Sequence, residues 1–316
     1  MLQPTSQTNT ETTKLNIKAA IFSTLVSSVL FSIKITTGLV TGSIAILASA
    51  LDSAFDFLSS SVNFYAIKHA AKPADAQHRF GHGKAEALAG FVQSIIIFGS
   101  AGYLIYESFQ RFFTNNEVSK VLEGIIVMAI SIALTVALVS YQSYVHKKSK
   151  SIAIAADRLH YITDILANAV VIVALLASKL FNWQWVDPAG AMIIAIYIIK
   201  SSIVIFRQSF DILMDKDISD RYRDDLKSAM KKVSAEILGY HDLRSRSAGG
   251  VDFMEFHMEV PKDMTVKQSH DVVERTMIEL QSMHPNLELI IHTDPAELDK
   301  NDGKVKIFDR DKPRFY

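Results

Sequence analysis

Two carboxylates lie four residues apart inside an apolar run that is long enough to cross a bilayer. Asp52 and Asp56 belong to the segment 43–68, whose other residues are mostly apolar or small. On a helix, positions i and i+4 lie on one face, so both carboxylates point the same way. Each charge at membrane depth costs about 2.5–3.5 kcal/mol. The pair therefore requires a cation, a proton or a polar neighbouring helix as compensation.

A second pair with the same spacing follows in another apolar run. His160 and Asp164 are again at i and i+4. Together with Asp52 and Asp56 they offer one imidazole and three carboxylates within the membrane, a donor set that suits a divalent transition metal. A structural polar cluster, in which the acids only pair between helices, is the alternative interpretation.

The apolar residues are concentrated in segments of about 20 residues or more, the length that a bilayer requires. The predicted spans are 17–42, 43–68, 85–106, 121–145, 152–180 and 187–206. Basic residues cluster in the loops after the second and fourth spans, which predicts that both termini are cytoplasmic. Lys34 lies within the first span, and we interpret it as a lysine whose ammonium extends to the membrane interface.

The pattern changes after residue 210, where charged amphipathic and alternating segments begin. We predict helices over 218–234 and 266–283, and strands near 242–246, 251–260 and 287–293. Gly249-Gly250 predicts a hairpin between the first two strands. The fold class is thus a membrane α-helical protein with six transmembrane helices followed by a cytoplasmic α+β domain. The predicted regions are a disordered N-terminus (1–13), the transmembrane domain (14–210), the cytoplasmic domain (211–298) and a flexible tail (299–316).

Two further groups of potential ligands lie outside the spans. Asp75, His78 and His82 share a loop in which glycines flank His82, and either a metal or solvent accounts for this group equally well. In the cytoplasmic domain, strand alternation places His257, His292 and Asp294 on the face opposite the apolar residues. This second group favours a metal over ordinary surface residues, and its predicted members are His241, His257, His270, His292 and Asp294.

Composition excludes several classes of protein. The chain of 316 residues contains no cysteine, so disulfides and thiolate metal sites are excluded. Its 33 basic and 33 acidic residues balance, whereas a nucleic-acid-binding protein would show a basic excess.

These motifs together resemble the cation diffusion facilitator family of divalent metal/proton antiporters. The resemblance rests on the two membrane pairs, on Phe80-Gly81-His82-Gly83-Lys84-Ala85-Glu86 and on His292-Thr293-Asp294-Pro295. It implies a ferredoxin-like cytoplasmic domain and a homodimer. It also implies a transport site at Asp52, Asp56, His160 and Asp164, a peripheral loop site and a regulatory or dimer-stabilising cytoplasmic metal cluster. The bacterial zinc and iron exporters are the most similar subgroup, which implies the bacterial inner (cell) membrane.

The sequence therefore predicts a transporter, not an enzyme, that exports Zn2+ in exchange for protons. Fe2+, Cd2+ and Mn2+ are further expected cargoes, because the acidic pair offers harder oxygen ligands than the His and Asp of zinc-restricted members. Since a metal ligand must be deprotonated, binding expels a proton, and imidazole titrates near neutral pH. A membrane-anchored metal sensor and a membrane-embedded metallohydrolase are the alternatives, although no motif for a hydrolase substrate pocket is present.

Overall fold

The chain forms two compact units, one helical over residues 10–210 and one α+β from residue 211 onward. The computed structural model describes residues 6–41, 44–111, 121–181, 186–296 and 308–310.

Six long helices make up the first unit, as the apolar segments predict. Their bounds are α1 Ser6–Thr41, α2 Ile44–Ala70, α3 Lys84–Arg111, α4 Val121–Ser149, α5 Ile152–Phe181 and α6 Val186–Leu213. Within the described residues, α1, α3, α4 and α6 each contain a stretch long and apolar enough to cross a membrane. Helices α2 and α5 carry the acidic residues of the two pairs. The membrane-helical part of the predicted fold class is confirmed.

Helix α1 begins earlier than the sequence predicts. Residues 6–13, expected to be disordered, continue α1 outward, while residues 1–5 lie outside the described residues. The segment contains neither glycine nor proline. Adding turns to an existing helix is inexpensive compared with nucleating a new one, so a polar extension of a long apolar helix can be helical.

Helix α5 lies centrally in the helical unit, in contact with α2, α3 and α4. Gly90 of α3 allows a close approach, because a Cβ at this position would lie 2.6 Å from Cγ2 of Ile152 and 2.8 Å from Oγ of Ser209. Small residues at such contacts let membrane helices pack by their backbones. The residues of the two membrane pairs thus lie on helices with closely packed neighbours.

The second unit is a four-stranded sheet with two α-helices. Its elements are a 3-10 turn Ser219–Arg221, α7 Arg223–Val233, β1 Gly239–Ala248, β2 Val251–Pro261, α8 Val266–Met283, β3 Leu287–Ala296 and β4 Phe308–Arg310. The strand order is β3-β2-β1-β4, with β1 and β2 antiparallel and the other two pairs parallel. The α+β part of the predicted fold class is confirmed.

One face of the sheet forms the core with α7 and α8. Met254, Phe256 and Met258 alternate along β2 and are almost fully buried against Leu226 of α7 and Leu280 of α8. The opposite face of β2 is therefore available for polar side chains, as the alternation predicts.

Local signals explain the ends of these elements. Gly249 and Gly250 both have positive φ, 61° and 83°, which a tight turn between antiparallel strands requires. Thr265 and Gln268 form a reciprocal capping box at the start of α8. The tail from 299 was predicted to be loose, yet residues 308–310 pair with β1 as an edge strand; residues 297–307 and 311–316 lie outside the described residues.

Candidate metal sites

The first site lies between α2 and α5. Nε2 of His160 is 2.9 Å from Oδ1 of Asp56, and the ligand atoms of Asp56, His160 and Asp164 all lie within 4.8 Å of one another. The side chains of His160 and Asp56 are 18% and 19% exposed. We call these three residues the membrane site. One imidazole and two carboxylates at this separation can bind a single divalent ion.

Asp52, the fourth predicted ligand, is not one of these three. It lies one turn before Asp56 on α2, with an exposed side chain. Its part in metal binding stays a prediction. Lys34 does not fit the interpretation of a lysine directed at the interface, because its Nζ donates a hydrogen bond to Oγ of Ser53 on α2 at 2.8 Å.

A buried carboxylate beside the site was missed in the sequence. Asp157, one turn before His160 on α5, is fully buried. Its Oδ2 accepts hydrogen bonds from Ser23 and Gln142, both at 2.7 Å. Helical spacing could have identified it, because Asp157 lies three residues before His160 and so shares the face of α5 that carries His160 and Asp164. Its contacts tie α1, α4 and α5 together behind the membrane site.

The loop site consists of Asp75, His78 and His82, whose ligand atoms also lie within 4.8 Å of one another. Oδ1 of Asp75 accepts the backbone N–H groups of Gln77 and His78, at 2.8 and 2.7 Å, and these bonds lower the pKa of its carboxyl group. Nε2 of His82 lies 3.4 Å from Oδ2 of Asp75. The structure thus brings together all three residues that the sequence grouped.

Gly81 makes this loop geometry accessible. Its φ is +79°, in the region that residues with a side chain rarely adopt, and its N–H bonds the His78 carbonyl at 3.0 Å. The turn reverses the direction of the chain, and the nearly buried imidazole of His82 therefore lies next to the carboxylate of Asp75.

The third group is built by strand register. His241 of β1 is paired with His257 of β2, which is paired with His292 of β3. The three imidazoles consequently form a row across the sheet, with ring centroids 5.1 Å and 4.8 Å apart. Asp294 follows His292 by two residues on the same face. We call His241, His257, His292 and Asp294 the sheet cluster.

Asp294 is the centre of the sheet cluster. Its Oδ2 lies 2.9 Å from Nδ1 of His257 and 3.1 Å from Nε2 of His241, while its Oδ1 lies 3.2 Å from Nε2 of His292. Burial would raise the pKa of the Asp294 carboxyl, but the hydrogen bond from His257 and the charges of the imidazoles outweigh it and lower that pKa. A carboxylate that stays ionised among imidazoles is a suitable metal ligand.

Two residues change the predicted composition of this group. His270 lies exposed on α8, the element that packs on the opposite face of the sheet, so it is not part of the sheet cluster within one chain. Glu259, two residues after His257 on β2, was missed as a potential ligand, and its Oε1 lies 3.2 Å from Nδ1 of His241. Its position on the polar face of an alternating strand was the available signal.

Two family models match this chain, and between them they cover both units. Residues 20–214 match the cation efflux transmembrane domain, and residues 218–296 match the cytoplasmic domain of cation efflux proteins.

Individual proteins are similar over most of their length. The cation-efflux pump FieF of Shewanella oneidensis is 36% identical over 254 residues, covering 80% of this chain and 85% of that protein. Protein p34 of Rickettsia prowazekii is 35% identical over 256 residues, covering 81% and 84%. A solved structure of the proposed zinc transporter CzrB, in its zinc form, is 32% identical over 24% of this chain and 82% of that one, with a TM-score of 0.22.

Proposed function

The chain belongs to the cation efflux family, the cation diffusion facilitators, and from this premise we propose that it exports a divalent transition metal from the cytoplasm in exchange for protons. The membrane site is the observation that carries the proposal. Two carboxylates and an imidazole converge on two helices of a membrane domain, where each buried charge costs about 2.5–3.5 kcal/mol. A divalent cation compensates the carboxylates, and protonation of the carboxylates neutralises them.

Exchange follows from the chemistry of the ligands. The 2.9 Å contact between His160 and Asp56 is one that a shared proton stabilises. A metal ion needs the lone pairs of both groups, so its binding displaces protons. Protonation from the other side of the membrane weakens the ligands and releases the metal. A proton gradient then drives net export.

Ligand type supports Zn2+ as cargo, since zinc accepts mixed imidazole and carboxylate coordination. Fe2+, Cd2+ and Mn2+ are further cargoes in this proposal, because neighbouring divalent metals are weakly separated by ligand type alone.

The cytoplasmic unit adds a second role for metal. In our proposal the sheet cluster binds Zn2+, and the loop site binds a peripheral ion. Both the cluster face and the domain type support a homodimer with this domain in the cytoplasm. We place the protein in the bacterial inner membrane with both termini cytoplasmic, on the loop charges and on the bacterial relatives.

Reconstitution into liposomes tests the proposal. The purified protein is expected to move Zn2+ against its gradient when a pH gradient is imposed, and Asp56→Asn is expected to abolish this flux while the protein still inserts. Metal binding without flux in the wild-type protein would favour a membrane-anchored sensor instead.

A further inference from the structure

Lys34 lies inside a membrane-spanning helix, but its ammonium is held at another helix. It belongs to the apolar stretch Glu11–Val40 of α1. Its Nζ donates to Oγ of Ser53 at 2.8 Å and lies 3.5 Å from the carbonyl oxygen of Ser49. Ser53 is 1% exposed. The positive charge is therefore fixed against α2 and does not extend freely to the lipid headgroups.

Ser49 and Ser53, which hold the ammonium of Lys34, lie on the face of α2 that carries its two acidic residues. Ser49 and Ser53 each precede one of the two acids, Asp52 and Asp56, by three residues, a spacing that makes neighbours on a helix surface. The ammonium of Lys34 is therefore held on the face of α2 that carries Asp52 and Asp56.

The chemistry of an ammonium group limits what Lys34 can do there. A protonated amine has donors but no lone pair, so it cannot join a metal as a ligand. It can neutralise carboxylates, and it repels an incoming cation. Both effects are strong at membrane depth, where the effective dielectric constant is low.

We propose that Lys34 is a tethered counter-cation of the membrane site. It compensates the acids when no metal is bound, and it weakens their hold on the metal enough for release. Lys34 acts through the acids and is a positioning residue, not a ligand. This inference rests on the proposed transport function.

Flux kinetics in proteoliposomes test the inference. Lys34→Gln is expected to lower KM for Zn2+ about tenfold, equivalent to ~1.4 kcal/mol, and to lower kcat several-fold, because the metal is held too tightly. Lys34→Arg keeps the charge and should retain the wild-type KM. The matched control is Lys200→Gln, which removes an exposed lysine from the membrane-spanning stretch of α6 and should change neither constant.

Ser53→Ala gives a second variant that retains every charge. It frees the ammonium from α2, so KM should fall by a smaller factor, about threefold, or ~0.6 kcal/mol. An unchanged KM in Lys34→Gln would overturn the inference. So would equal shifts in Lys34→Gln and Lys200→Gln, or a raised KM with a lowered kcat, the pattern of structural damage.

The inference and the proposed function fail in different ways. If the wild-type protein binds Zn2+ but shows no flux, export is refuted. Calorimetry of the same full-length variants, restricted to the binding that Asp164→Asn removes, then decides the role of Lys34. Tighter binding in Lys34→Gln than in the wild type would support the counter-cation, and equal affinity would refute it.

Discussion

The membrane site and the sheet cluster use similar ligands but different backbone geometry. In the membrane site, His160 and Asp164 are one helical turn apart, so local periodicity brings them together. In the sheet cluster, His241, His257 and His292 are far apart in the chain and meet because three strands pair in one register. Helical spacing can therefore place two ligands side by side, although Asp56 joins them only through the packing of α2 on α5, whereas every pair in the sheet cluster depends on strand pairing.

The two sites also differ in what surrounds them. The side chains of Asp56 and His160 are about a fifth exposed. They lie on helices of a membrane domain, where an uncompensated charge on a side chain costs free energy. His292 is 64% exposed on an open sheet face, where water can solvate it. The carboxylates of the membrane site thus require a metal, protons or the Lys34 ammonium as compensation, while metal at the sheet cluster would be an addition to a folded domain.

The largest expected effect separates the sites by function. Asp164→Asn removes a charged ligand from the membrane site and should reduce Zn2+ flux at least a thousandfold, ~4 kcal/mol, as loss of a buried charged partner does. His257→Ala, which disrupts the sheet cluster, should change flux by less than about tenfold. Parallel flux assays in liposomes make the comparison, and similar losses in both variants would contradict it.

The next effect separates the two faces of one strand. Phe256 is fully buried in the core, and His257 beside it points to the opposite face. Phe256→Ala should destabilise the cytoplasmic unit by about 3–5 kcal/mol through lost burial and a cavity. His257→Ala in chelator should cost about 1 kcal/mol or less. Denaturant unfolding of the full chain, followed by a cytoplasmic probe, measures both; equal costs would mean that the sheet cluster stabilises the fold without metal.

A smaller expected effect concerns the stability of the protein at acidic pH and a residue outside both sites. Burial would raise the pKa of Asp217, but hydrogen bonds from Ser219 and Ser245 outweigh it and lower that pKa. A lowered pKa in the folded state contributes stability that is complete above about pH 4 and is lost as the pH falls through the folded value. Asp217→Asn should therefore cost about 0.5–1 kcal/mol near neutral pH, discounted because the side chain is exposed, and little at low pH. Unfolding curves of both proteins across that range provide the test, and a pH-independent difference would reject the assignment.

The smallest effect sharpens the selectivity of the membrane site. Asp52→His replaces a hard oxygen by an imidazole one turn from Asp56, which should shift preference from Mn2+ and Fe2+ toward Zn2+ about twofold, ~0.4 kcal/mol. Competition between metals in flux assays measures the shift. An identical metal profile before and after the change would show that Asp52 does not contact the cargo.

Periodicity accounts for what could be predicted. The six helices, the hairpin at Gly249-Gly250 and helix Val266–Met283 follow from hydrophobic pattern and turn residues. The pairing of β4 with β1 could not be foreseen, because the short strand Phe308–Arg310 lies in a polar tail and depends on an available sheet edge.

The residues of the candidate sites also divide into those that sequence spacing predicts and those that depend on tertiary contacts. Spacing identified Asp56, His160 and Asp164, which the structure brings together. His270 was grouped with the cytoplasmic cluster by residue type and by the family resemblance; it lies exposed on α8, and its part in metal binding stays a prediction. Asp157 and Glu259, whose contacts come from other helices or a neighbouring strand, were missed.

The row of imidazoles across β1, β2 and β3 limits how the chain can change in length. Side chains alternate along a strand, so inserting one residue before His257 within β2 would turn both His257 and Glu259 toward the apolar core. Inserting residues in the loop between α7 and β1, or between β2 and α8, leaves every pairing intact. The connections are therefore the places where the chain can change in length while the sheet cluster stays assembled.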